Sequence, residues 1–191
     1  MRKIYFFTIL LLLLNACIKK EEAITPKPEG YFRIDIPKHT YQSMDTILPF
    51  KMEYSTLATL AIQNKDSGRY WIDIMYPQFN VNFKISYFPL HDNLRKMMVQ
   101  EEKMVKFHYQ KADDVEFSVV NDPQYRLFGQ IYDIQGKEVA TPLTFWLTDS
   151  TLHFVRASLY FNFTPNNDSL QPVIEFLRED ALHMINTFGW K

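Results

Sequence analysis

The stretch Tyr70-Trp71-Ile72-Asp73-Ile74-Met75-Tyr76-Pro77-Gln78-Phe79-Asn80-Val81-Asn82-Phe83-Lys84-Ile85-Ser86-Tyr87 decides the fold class. Tyr70, Ile72, Ile74 and Tyr76 share one parity. Across the Pro77-Gln78 break, Phe79, Val81, Phe83, Ile85 and Tyr87 alternate with Asn80, Asn82, Lys84 and Ser86. A strict period of two means one buried face and one wet face, the habit of antiparallel sheets. Two such runs joined this tightly predict a β-hairpin. Trp71 breaks the pattern: it stands opposite Tyr70, Ile72 and Ile74, beside Asp73, so it either packs under a helix or marks a contact surface.

Outward from this hairpin the periods change. Residues 92–108 place Leu94, Met97, Met98, Glu101, Met104, Val105 and His108 at helical spacing, with Asp92 as a candidate cap and Glu101 as the polar exception. Strand patterns return at 115–120, 125–134, 142–148 and 152–161, separated by Gln135-Gly136-Lys137 and Asp149-Ser150-Thr151. A closing helix is expected over 169–188, with Asp168 and Gln171 as a capping box and Pro172 in its first turn. Its apolar stripe is Leu170, Val173, Ile174, Leu177, Ala181, Met184, Ile185 and Phe188. Toward the N-terminus, 48–54 and 56–63 are weaker strands, and 31–36 alternates cleanly before Pro37. Helices that each offer one apolar face must cover a half-buried sheet. The expectation is an α+β domain: a twisted, mainly antiparallel sheet covered by two principal helices. The order of elements resembles the PsbP/Mog1-type sandwich, a likeness of architecture that says nothing about function.

The first 30 residues read differently. Arg2 and Lys3 precede an apolar run over 4–14, too short to span a bilayer as a helix but right for a secretory signal. Leu14-Asn15-Ala16-Cys17 resembles a lipobox, with Asn15 an uncommon residue at its position. Residues 1–16 are therefore expected to be a lipoprotein signal peptide, and Cys17 the lipid-bearing first residue. Each buried methylene contributes about 0.8 kcal/mol, so two or more acyl chains bind a membrane durably. Resemblance to bacterial lipoproteins implies a diacylglycerol thioether on Cys17. Residues 17–30, rich in charge and carrying Pro26 and Pro28, read as an extended tether. At ~3 Å per residue it reaches roughly 35–40 Å. Lys19-Lys20-Glu21-Glu22 resembles the export signal of surface lipoproteins in Bacteroidota; the other reading is a solvated charge run. The domain is then 31–191, held in the cell envelope and facing the periplasm or exported to the cell surface.

Composition narrows the chemistry. Loss of Arg2 and Lys3 with the leader moves the formal charge from −1 to −3, so no global basic field for nucleic acid exists. Cys17 is the only cysteine, so once acylated it leaves no disulfide, thiolate site or cysteine nucleophile. His39, His91, His108, His153 and His183 show no metal-ligand spacing, and no metal or other cofactor is expected. Asp149-Ser150-Thr151-Leu152-His153 holds an acid, a hydroxyl and a base, but its place in a hairpin turn points to turn chemistry. Asp113-Asp114, Asn121-Asp122 and Asn166-Asn167-Asp168 fall where turns and caps are expected and lack EF-hand spacing. No elbow, phosphate loop or His-Glu-x-x-His is present, so no catalytic residue is assigned and the chain is not read as an enzyme.

Four stretches carry a family resemblance: Gly-Tyr-Phe-Arg-Ile-Asp-Ile-Pro from Gly30, Tyr-Pro-Gln-Phe-Asn from Tyr76, Leu-Thr-Asp-Ser-Thr-Leu-His-Phe-Val-Arg-Ala-Ser-Leu-Tyr-Phe-Asn from Leu147, and the run from Pro165 to Trp190. Together they resemble the GldD family of gliding-motility lipoproteins of the Bacteroidota. The resemblance implies an accessory or assembly role in gliding motility and its associated type IX secretion machinery. Partners would be the membrane, through lipid on Cys17, and other proteins of that machinery. The aromatic content leaves a second reading open, a lipid-anchored ligand-binding module for glycan or peptidoglycan fragments. A hydrolase would need His153 beside Ser150 or Ser158 and a carboxylate.

Overall fold

The computed structural model describes residues 33–108 and 111–191. They belong to one compact unit, Phe32–Lys191. The expected signal peptide (1–16), Cys17 and the expected tether lie outside the described residues.

The quoted hairpin is the centre of the molecule. Strands β4 (Arg69–Tyr76) and β5 (Val81–Pro89) pair antiparallel with Ile72 opposite Ile85 and Ile74 opposite Phe83. The break between them is a turn through Pro77, with Asn80 at φ 52°. Strand β3 (Thr59–Lys65) flanks β4 and is joined to it by a 3-10 turn at Asp66–Gly68. On the other side come β9 (His153–Phe161), β8 (Leu143–Thr148), β7 (Leu127–Gln135) and β6 (Asp114–Asp122). All seven strands are antiparallel, in the order β3-β4-β5-β9-β8-β7-β6. A smaller sheet holds β1 (Tyr41–Met44), β2 (Phe50–Ser55) and β10 (Gly189–Trp190).

The alternation predicts which residues go inward. Ile72, Ile74, Tyr76, Val81, Phe83, Ile85 and Tyr87 are buried on one face with Val155, Ala157 and Leu159. Helix α2 (Asn167–Asn186) and the small sheet cover that face, supplying Val173, Phe176, Leu177, Ala181 and Met184, and Met44, Phe50 and Met52. Full burial of each large apolar side chain contributes roughly 1.5–3 kcal/mol. Helix α1 (Leu94–His108) lies on the opposite face over a second, smaller cluster that includes Met97, Val105, Tyr132, Trp146 and Phe154. The architecture is α+β, with the large antiparallel sheet between two helices of unequal coverage.

Three local expectations are corrected. Residues 33–36 form no strand, although Ile34 packs on the core. The segment that follows them is fixed to α2 through His39, so the chain first enters a sheet at Tyr41. Tyr31 and Phe32 lie outside the described residues. Asp92 sits in a left-handed turn at φ 55° and does not cap α1, while Asn93 Oδ1 accepts the His91 N–H just before the helix. At α2 the N-cap is Asn166, without a side-chain capping bond, and Gln171 donates instead to Glu175, one turn on. Pro172 consequently falls in the second turn.

Candidate functional site

Trp71 is the surface residue singled out by the pattern, and it remains 49% exposed. The register explains why. On its face, one cross-strand row runs Gln63, Trp71, Ser86, Arg156, Trp146, Gln130, Val119 from edge to edge. Helix α1 connects β5 to the edge strand β6, so it passes over the β9-β8-β7 half and covers Trp146. The β3-β4 half stays open. A groove of about 640 Å³ runs along the margin of α1, lined by Trp71, Lys84, Ser86, Arg156 and Tyr160 among others.

Charge in this groove is organised. Glu101, the polar exception of the helical stripe, is buried and lies 3.3 Å from Arg156 Nη1. Burial pushes its carboxyl above the ordinary value, and Arg156 only partly offsets this. The Arg156 guanidinium lies over Phe88, and Lys84 over Tyr160. Lys65 Nζ stands 4.3 Å from the centre of the Trp71 ring. The groove thus offers aromatic surface and cations together, a combination suited to holding a ligand or a partner.

A second constellation lies on the covered face, and sequence reading missed it. Asp180 of α2 is buried and accepts a 2.8 Å hydrogen bond from the Tyr76 hydroxyl. Its other oxygen lies 2.7 Å from His39 Nδ1, and His39 Nε2 lies 2.8 Å from Glu179. The His39 ring stacks on Phe176 at 4.2 Å. Beside it Tyr41 stacks on His183, whose Nε2 meets Glu53 at 2.8 Å. Burial and the Asp180 charge push the Tyr41 phenol up to about 12 and Tyr76 higher still. A phenol held this high stays protonated and donates, so the network works as a fastener joining the N-terminal segment to α2 and β4. Its signal in the sequence was a carboxylate three residues after Leu177 and four before Met184, inside an apolar stripe.

The Asp149 turn is also structural. Asp149 accepts the N–H groups of Thr151, Leu152 and His153 and the hydroxyl of Thr151. Burial acts to raise its pKa, but these four donors outweigh it and hold the carboxyl at about 2. His153 hydrogen-bonds Tyr87 at 2.8 Å and stacks on Trp190, while Ser158 hydrogen-bonds Thr144. The turn's acid and its Thr151 hydroxyl thus bond to each other, while the His153 ring is turned away to Tyr87 and Trp190. Asp122 accepts two turn N–H groups, and the Asn167 amide donates to Gly136 and Val139. Among the described residues no group of three His, Asp or Glu could hold a metal ion, and no helix is long and apolar enough to cross a membrane. The His108 side chain lies outside the described part of the molecule.

The family model of gliding motility lipoprotein GldD matches residues 21–190. The chain belongs to that family. GldD membership makes it a membrane-anchored lipoprotein of the cell envelope, associated with gliding motility. The match begins four residues after Cys17 and takes in residues 21–30 of the expected tether, the groove and the Asp180 network. No curated protein matches. Among solved structures, the chain is similar to the solution structure of cyanobacterial PsbP from Synechocystis sp. PCC 6803, at 11% identity and a TM-score of 0.49, over 84% of this chain and 98% of that one. A likeness of that size carries no functional argument for a GldD chain.

Proposed function

We propose that this chain is an accessory or assembly component of gliding motility and its associated type IX secretion machinery, one that holds partner proteins beside the membrane and turns over no substrate. The family match carries the proposal. Three features support it. Cys17 supplies the anchor and residues 18–30 the reach. The carboxylates that resemble catalytic groups, Asp180 and Asp149, are saturated by the chain's own donors. Half of one sheet face, centred on Trp71, is left open to solvent. In a strain lacking the gene, the full chain restores colony spreading and delivery of surface adhesins, and the Cys17→Ala chain does not. Normal spreading by the clean deletion overturns the proposal.

One observation favours a second reading. Trp71 and Tyr160 flank a groove that also carries Lys84 and Arg156, which suits an anionic glycan such as a peptidoglycan fragment.

A further inference from the structure

The two edges of the seven-stranded sheet are built differently. Edge strand β3 turns Leu60 and Ile62 into the core and shows Gln63, Asn64 and Lys65 near its end. Polar and cationic residues of this kind guard an edge against further pairing. Edge strand β6 has no cationic guard, and its charges are the carboxylates Asp114, Glu116 and Asp122. It is nine residues long and contains no proline and no lysine. Its outer backbone groups face no further strand among the described residues. Phe117 is 64% exposed and Val119 67%, both on the α1 face, opposite Tyr132 and Gln130.

The other face of the same strand is acidic. Asp114, Glu116 and Asp122 share it with Ser118 and with Val120, which packs on the core. Glu116 opens onto a cleft of about 370 Å³ between β6 and α2, where Asp113, Asp168 and Glu175 also stand. Of the two cations there, Arg178 is taken by Asp133 in a bidentate pair at 2.8 and 2.6 Å, leaving Lys137. A strand added beside β6 inherits this alternation, because side chains of neighbouring strands point the same way at each register position. It meets apolar surface at Phe117 and Val119, and negative charge on the opposite face.

We propose that β6 is a docking edge that takes an extended segment of a partner polypeptide by strand addition, a segment in which apolar residues alternate with lysine or arginine. Backbone hydrogen bonds would supply the affinity, and the alternation the specificity. A second copy of this chain is the wrong occupant. Two-fold antiparallel pairing along the whole of β6 centres on Ser118; it matches Phe117 with the copy's Val119, but it sets Asp114 opposite the copy's Asp122 at both ends and brings no cation to the acidic face. This inference goes beyond the reading above and does not depend on motility.

The test uses the full-length chain purified from membranes in detergent and a fluorescent nine-residue peptide alternating valine and lysine. The expected result is saturable binding that falls with salt. A valine–glutamate peptide binds at least tenfold more weakly, and a fully N-methylated valine–lysine peptide does not bind. The double variant Phe117→Lys/Val119→Lys keeps its melting temperature, because both side chains are exposed, and loses at least tenfold in affinity. Absence of binding by the valine–lysine peptide, equal binding by the glutamate peptide, or unchanged binding by the double variant each overturns the proposal. So does self-association of the free chain that the double variant abolishes, which would make a second copy the occupant.

Discussion

The two faces of the large sheet come from the same strands and differ in almost every physical respect. On the α2 face the inward residues of β4, β5 and β9 are sealed by a helix and a second sheet, and a carboxylate buried there, Asp180, is met by Tyr76 and His39. On the α1 face a single helix covers half the width. Here Glu101 is paired with an arginine that is itself part-exposed, and Trp71, Phe117 and Val119 remain in solvent. Covering a face fully yields stability and fixes register. Covering it partly leaves surface for another molecule. In a membrane-anchored lipoprotein of a gliding-motility family, the uncovered half is where contact is to be sought.

The sharpest way to break this comparison is to remove a carboxylate from each face. Asp180→Ala leaves the buried Tyr76 hydroxyl without its acceptor and frees His39 from α2. The expected loss is about 3 kcal/mol, a drop in melting temperature of roughly 6–12 °C for a chain of this size. Asp73→Ala, beside Trp71 on the open face, should stay within about 0.5 kcal/mol. Equal losses in thermal or urea unfolding would show that the faces do not differ as described.

The legible part of this fold follows from period. Strict alternation over 70–87 fixed which side of β4 and β5 is buried, and it marked Trp71 as the residue of opposite parity. The spacing of Leu94, Met97, Glu101 and Val105 gave α1 and its polar exception. What stayed hidden was set by contacts distant in sequence. His39 and Asp180 are 141 positions apart, and no local pattern links them. The same bond fixes the chain just beyond the failed strand at 33–36: alternation expresses a preference for sheet, but none of the described strands pairs with these residues. The open half of the sheet was equally illegible, since it depends on the path of α1 from a central strand to an edge.

A smaller effect belongs to the carboxylate of the β8–β9 turn. Against its burial, Asp149 is held at about 2 by the Thr151 hydroxyl and three N–H groups of its own turn, below the ordinary value of 3.8. A lowered native pKa stabilises the fold above pH 4, and that contribution is lost as pH falls from about 4 to about 2. Its size is about 2 kcal/mol. Urea midpoints measured across this range should fall for the wild type, and Asp149→Asn should flatten that part of the profile. An unchanged slope in the variant would assign the acid limb to other groups.

The smallest expected effect on stability is the most informative for function. Trp71→Ala should shift stability by no more than about 0.5 kcal/mol, because the indole is half in solvent and its cation partner, Lys65, is on an edge strand. A larger loss would mean that Trp71 is part of the fold and that the open half is not a contact surface. With stability unchanged, the variant separates the two uses of the groove. If the groove takes an anionic glycan, a panel of peptidoglycan fragments raises the melting temperature of the wild type and not of the variant, since the indole is the broadest apolar face on which a sugar ring could stack there. If the panel shifts neither and Trp71→Ala still impairs spreading at normal protein levels, the indole is contacting protein, and the open face is an interface in its own right.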